Sequence, residues 1–168
     1  AGKNTEDLVP MAGITRSNDV PVRFIEEVPF NGDGRFTPVL EWNHRKILQH
    51  LQVHFPGIHK LNDPDNSTAF HYKIPGYKGT IGIIAAFSRT FCGTCNRIRV
   101  TAQGTLKTCL YDDGVMDIKH WLRSGITDDD LKQKLLHAFN RRKKNGFEAE
   151  ADRKDHQPAH ESMSTIGG

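Results

Sequence analysis

The chain has 168 residues, a net charge of +3, a pI near 8.8, 36 % apolar residues and a mean hydropathy of −0.57. That length fits one domain or a large piece of one, able to bury roughly 70 % of its unfolded surface. So small a charge excess suits a phosphorylated small molecule and is too weak to argue for nucleic acid, while no apolar run approaches the ~18 residues of a membrane span.

No secretory h-region is legible, and three cysteines without one point to a reducing, cytoplasmic compartment. The opening AGKNTEDL reads either as a cut from mid-chain or as a terminus that lost its methionine before a small residue. Residues 20–30, VPVRFIEEVPF, alternate Val22, Phe24 and Val28 with charges and predict a strand ended by Pro29 and NGDG. Glu26 and Glu27 fall on opposite faces of it, so one of them could orient Arg23, against the plainer reading of a strand-end charge.

Residues 40–55 place Leu40, Ile47, Leu48, Leu51 and Phe55 on one helical face, and HKLNDPDNS reads as loop. Two strands are predicted over 70–74 and 80–87 around PGYKG, the second well buried through Ile81, Ile83 and Ile84. Residues 97–101 and 105–111 predict a hairpin around AQG. A short helix over 117–123 stops at Ser124-Gly125, and Thr127 caps the next, with Leu131, Leu135, Ala138 and Phe139 as its core face. Its first turn holds three aspartates and its end reads RRKKNG, which answers the helix dipole and makes that basic run a solvated face. The organisation expected is three regions, 1–38, 39–147 and 148–168, the last a polar tail. No internal repeat is found.

All three cysteines lie in FCGTCNRIRVTAQGTLKTCL, residues 91–110, spaced C-x2-C-x13-C. Cys92 and Cys95 share a tight turn, and Cys109 comes from the return strand of the hairpin. Structural zinc would want a fourth ligand, and the nearest later histidine, His120, sits on a predicted helix. Catalytic zinc would take three ligands and water, though three thiolates are electron-rich for a hydrolase. A cubane iron–sulfur cluster on three cysteines would keep one iron open. Buried cysteines without any metal are the fourth reading. Arg97 and Arg99, two apart on a predicted strand, would share a face beside this turn, and the opposing strand offers Thr105, Lys107 and Thr108 but no acid. Two guanidinium forks on one face suit a polyphosphate. His44, His50, His54, His59, His71, His137, His156 and His160 are scattered without metal spacing and read as surface or packing residues.

The cysteine run resembles the C-terminal cluster motif of the molybdenum cofactor biosynthesis protein A family, the radical-SAM GTP 3',8-cyclases. VRFIEEVPF is similar to that family's last barrel strand and SMSTIGG to its tail, so the likeness runs from about Lys3 to Gly168. The resemblance implies an α/β to α+β fold: the C-terminal part of an open, incomplete TIM-type barrel, plus a small antiparallel sheet and helices carrying an Fe–S site. It implies a [4Fe–4S] cluster on Cys92, Cys95 and Cys109 with one open iron for the guanine base of GTP. Arg97, Ile98, Arg99 and Arg23 would contact GTP, Val28 would stand near S-adenosylmethionine where the family usually has Met, and Gly167 and Gly168 would be a tail reaching the active site. In the family a first cluster and S-adenosylmethionine, held by C-x3-C-x2-C, generate a 5'-deoxyadenosyl radical. That radical takes hydrogen from C3' of GTP, and C3' then bonds C8 of the guanine.

That motif is missing from this sequence, so the segment alone is expected to be inactive and to need the N-terminal radical-SAM half as partner. A barrel cut open would expose an edge and apolar surface, so poor solubility or association is expected of the segment by itself. Cyclic pyranopterin monophosphate synthase would act downstream, a homodimer is compatible, and neither nucleic acid nor membrane is an expected partner. The alternative class is a stand-alone iron–sulfur or zinc module without catalysis. A carrier tail built on the final Gly-Gly is disfavoured because the body lacks a compact ββαββ pattern.

Overall fold

The computed structural model describes residues 4–30, 40–153 and 162–166. The chain divides into two units, residues 1–28 with 38–95, and residues 29–37 with 96–168.

In the first unit, strands β1 (Pro21–Ile25), β2 (His59–Lys60), β3 (Ala69–Lys73) and β4 (Thr80–Ile84) form one sheet in the order β1-β4-β3-β2. β1 runs parallel to β4, while β3 is antiparallel to β4 and to β2. Alternation sends Val22 and Phe24 of β1 to one face with Ile81 and Ile83 of β4. Helices α1 (Leu8–Gly13) and α2 (His44–His54) add Leu8, Ala12, Ile47 and Leu51 to that core. Leu51, Ile81 and Ile83 are each 0 % exposed, so truncating any of them to Ala costs about 2–5 kcal/mol.

β1 is shorter than predicted because Glu26 leaves the ladder after one last bond, its N–H donating to the Ile84 carbonyl at 3.0 Å. The predicted 59–67 loop opens on β2, whose two exposed residues pair with Tyr72 and Lys73. α1, which has no sequence signature, is preceded by a 3-10 turn over Thr5–Asp7.

In the second unit, β5 (Arg99–Val100), β6 (Thr105–Lys107) and β7 (Met116–Asp117) make an antiparallel sheet in that order. Gly104, at φ +89°, turns the β5–β6 hairpin, a left-handed position where glycine carries no steric cost. Both hairpin strands are shorter than predicted: Arg97 precedes β5, and the chain leaves β6 at Lys107. Three helices follow, each with a side-chain cap on the first free N–H groups: α3 (Ile118–Arg123) capped by Asp117, α4 (Asp128–Asn140) by Thr127 and α5 (Gly146–Ala151) by Asn145. The predicted α4 core face is only half-buried at Leu131, Leu135 and Ala138, and Phe139 is 36 % exposed. No helix of the described residues is long and apolar enough to cross a membrane.

Candidate functional site

The predicted site residues that are described fall into both units, Arg23, Val28, Cys92 and Cys95 in the first and Arg97, Ile98, Arg99 and Cys109 in the second. In the first unit, the chain leaves β4 through Ala85 and turns at Arg89, which adopts φ +53°. A left-handed arginine is unusual and needs its surroundings to hold it. Its N–H donates to the Ala85 carbonyl at 2.7 Å, and its guanidinium lies 6.0 Å from the Phe87 ring centre. From there the Cys92 N–H donates to the Arg89 carbonyl, and a 3-10 turn over Cys92–Thr94 is closed by Cys95 N–H donating to the Cys92 carbonyl, both at 3.3 Å. Cys92 and Cys95 are half-buried thiols.

Glu26 anchors the start of this segment. It is 1 % exposed, yet it gathers four donors. Oε1 accepts from the His44 N–H at 2.6 Å, from His44 Nδ1 at 2.9 Å and from the Ser88 hydroxyl at 2.9 Å, and Oε2 accepts from the Ser88 N–H at 2.7 Å. Burial raises the Glu26 carboxyl, but the hydrogen bonds from Ser88 and His44 outweigh it and hold the pKa below the ordinary value. Glu26 is therefore committed to α2 and to the Ser88 turn rather than to orienting Arg23, and Glu27 is exposed.

The partner of Arg23 is a histidine instead. Arg23 pairs with Gly82 of β4, which pairs in turn with His71 of β3, so the three form one row across the sheet. With no side chain on Gly82, the Arg23 Nη1 crosses the row and meets His71 Nε2 at 3.1 Å. His71 Nδ1 lies 3.0 Å from Asp63 Oδ1, the same oxygen that accepts from the His71 N–H at 2.8 Å and from Lys60 Nζ at 2.6 Å. Burial raises the Asp63 carboxyl, but the bonds from Lys60 and His71 prevail and set its pKa below the ordinary value. Nothing in the spacing of the histidines separates His71 from the rest; only the strand register does.

In the second unit, Cys109 leaves β6 in a turn organised by Asp112, 8 % exposed. Asp112 Oδ2 accepts from the Thr108 N–H at 2.9 Å, the Thr108 hydroxyl at 3.0 Å and the Cys109 N–H at 2.8 Å, while Oδ1 accepts from the Gly114 N–H at 2.8 Å. Arg153, 4 % exposed, holds the same turn from outside: Nη2 pairs with Asp113 Oδ1 at 3.0 Å, and Nη1 donates to the Tyr111 and Asp112 carbonyls at 3.5 and 3.4 Å. The Tyr111 ring packs 5.1 Å from Phe30. The sequence did offer a cue to Asp112, since Asp two residues before Gly is turn chemistry.

Arg97 and Arg99 are half-buried, with Ile98 exposed between them, so the alternation predicted for a strand holds from Arg97 into β5. Arg99 faces Lys107 across the ladder, and Lys107 is 1 % exposed. Beside this hairpin, residues 162–166 form a turn in which the Thr165 N–H and hydroxyl both donate to the Ser162 carbonyl, at 2.9 and 2.8 Å. The Thr165 carbonyl accepts from the Ala102 N–H in the hairpin loop at 3.4 Å, and Ile166 is 1 % exposed. Gly167 and Gly168, like His156 and His160, lie outside the described residues. Val28 is half-buried at the end of the first unit's opening segment.

The donor chemistry of each piece suits a soft iron: Cys92 and Cys95 in the first unit and Cys109 in the second are half-buried thiols, none in a disulfide. Among the described residues, no group of three or more His, Cys, Asp or Glu is gathered as metal ligands, so the cluster stands as a proposal on the thiols themselves.

Residues 20–148 match the family described as Molybdenum Cofactor Synthesis C. The chain is 36 % identical to molybdenum cofactor biosynthesis protein 1 of Mus musculus over 149 residues, covering 85 % of this chain and 22 % of that protein. It is 30 % identical to GTP 3',8-cyclase of Chlorobaculum tepidum over 172 aligned positions, covering 99 % of this chain and 49 % of that one. With mitochondrial GTP 3',8-cyclase of Arabidopsis thaliana it shares 31 % identity over 148 residues, 84 % of this chain and 36 % of that protein. The chain thus spans between about a fifth and a half of the length of these relatives. The match over the stretch that carries both sheets and all three thiols shows that this chain belongs to the Molybdenum Cofactor Synthesis C family.

Proposed function

We propose that this chain is the substrate-holding part of a GTP 3',8-cyclase, acting with a radical-SAM half to make the cyclic precursor of the molybdenum cofactor. The observation that carries this reading is the C-x2-C-x13-C thiol set with Arg97 and Arg99 between its second and third cysteines, inside the matched family region. Cys92, Cys95 and Cys109 would hold a [4Fe–4S] cluster, which when bound supplies a soft iron with one open position. The chain's own part is to hold the nucleotide. Arg97 and Arg99 present guanidinium forks to the phosphates, Arg23 adds a third cation from the sheet, and exposed Ile98 offers an apolar contact between the two forks. The turn built by Asp112 and Arg153 fixes the direction in which Cys109 leaves β6, so that thiol is preset rather than recruited.

In this reading the first unit supplies the closing strands of an open barrel, Val28 stands near S-adenosylmethionine, and Gly167 and Gly168 serve as the tail that reaches the active site. Residues without a Cβ can pass close to a ligand. The product passes to a cyclic pyranopterin monophosphate synthase, in the compartment where the thiols stay reduced.

The test is anaerobic reconstitution with iron and sulfide, then metal counting and GTP titration of the unmodified chain and Arg97→Ala. About four irons per chain are expected, with GTP affinity lowered about tenfold or more by the substitution. Stoichiometric zinc with no GTP affinity would defeat the reading and favour a stand-alone metal module.

A further inference from the structure

We infer that Asp63 and His71 are positioning residues that hold Arg23 out as a fully charged arm for the phosphates of the nucleotide; this rests on the GTP-holding function proposed above. A guanidinium has donors only, so the 3.1 Å approach of Arg23 Nη1 to His71 Nε2 requires Nε2 to be an acceptor. The ring hydrogen must then sit on Nδ1, where Asp63 Oδ1 waits at 3.0 Å. The geometry thereby assigns His71 as a neutral imidazole in its Nδ1–H form.

Neutrality is what makes the arrangement useful. A carboxylate in place of His71 would fix Arg23 equally well but cancel its charge. An imidazole orients the guanidinium and leaves the positive charge for a ligand. The carboxylate that steers the imidazole is itself matched by Lys60 at 2.6 Å, so its charge is answered before it reaches Arg23. A prefixed side chain also loses less rotamer freedom on binding, and that lost freedom otherwise weakens affinity. Gly82 completes the device, because a Cβ there would stand 2.5 Å from Nη1 and close the path.

Two measurements test this on the reconstituted full chain. Nitrogen-15 NMR of the His71 ring should report a neutral Nδ1–H imidazole; an Nε2–H ring would overturn the assignment and the inference. GTP titration should then separate two substitutions. His71→Gln can still offer an acceptor to Arg23 and should keep affinity within about threefold, whereas His71→Asn reaches Asp63 but not Arg23 and should weaken it about tenfold. Equal effects of the two, or none, overturn the inference while leaving the GTP reading intact. A chain that binds no GTP defeats both.

Discussion

Substituting Gly82 with alanine asks whether Arg23 works only where the sheet puts it. The new Cβ would stand 2.5 Å from Arg23 Nη1 and 3.3 Å from its Cγ, but at an ordinary 3.5 Å from the Ala69 Cβ. Comfortable contact needs about 3.5 Å, so the guanidinium end must retreat by about 1 Å. The 3.1 Å approach to His71 then opens beyond hydrogen-bonding range. Losing that exposed bond costs about 0.5–1.5 kcal/mol. Alanine returns about 0.5–1 kcal/mol, because glycine loses more backbone freedom than alanine when a strand forms. The two nearly cancel, so the urea midpoint should move by less than the equivalent of about 1 kcal/mol. GTP affinity, in contrast, should fall about tenfold, or 1.4 kcal/mol, as the preset cation is displaced. Isothermal titration beside urea denaturation reads both quantities on one sample. A Gly82→Ala chain of normal stability that binds GTP as tightly as the unmodified one would refute the reasoning.

Glu26→Gln turns an amide N–H₂ toward groups that are themselves donors, and should cost about 3 kcal/mol in urea denaturation. Because the folded Glu26 carboxyl lies below its ordinary value of 4.5, the stability it contributes is complete above that pH and fades as pH drops through the lower folded value; Glu26→Gln should flatten this acid limb of the stability curve. Asp112→Ala removes four accepted hydrogen bonds at once and should lower the iron retained after reconstitution, with a stability loss of about 3 kcal/mol. Asp112→Asn can keep three of those bonds on its remaining oxygen and should retain most of the iron; equal loss in both variants would contradict the assigned geometry. Thr127→Ala removes the α4 cap, worth about 1 kcal/mol, so the Asp130 amide should exchange with solvent about fivefold faster.

Where a pattern is local and repeated, the sequence announced the fold. Val22 and Phe24 alternate, Ile81 and Ile83 alternate, and Ile47 and Leu51 recur at one helical turn, and all of them reach the core. Thr127 capped its helix as its position suggested. α1 was silent because it buries only Leu8 and Ala12 and so carries no amphipathic period. β2 was silent because two exposed residues become a strand only through the partner they pair with. Asn145-Gly146 read as the end of a basic run, whereas the Asn145 side chain begins α5. The site divides in the same way. The thiol spacing and the arginines can be seen in twenty consecutive residues, and the Asp112 turn is within reach of a careful local reading. His71 and Arg153 are not, since the first acquires its role from strand register and the second acts on a turn 41 residues upstream.

Glu26 carries one consequence beyond its own energetics. It is a single hub from which two strings run, one to the first turn of α2 and one to Ser88, four positions before Cys92. Cutting the hub slackens both strings together. Acid strong enough to protonate this carboxyl should therefore unravel the start of the helix and the lead-in to the thiol pair in one concerted step.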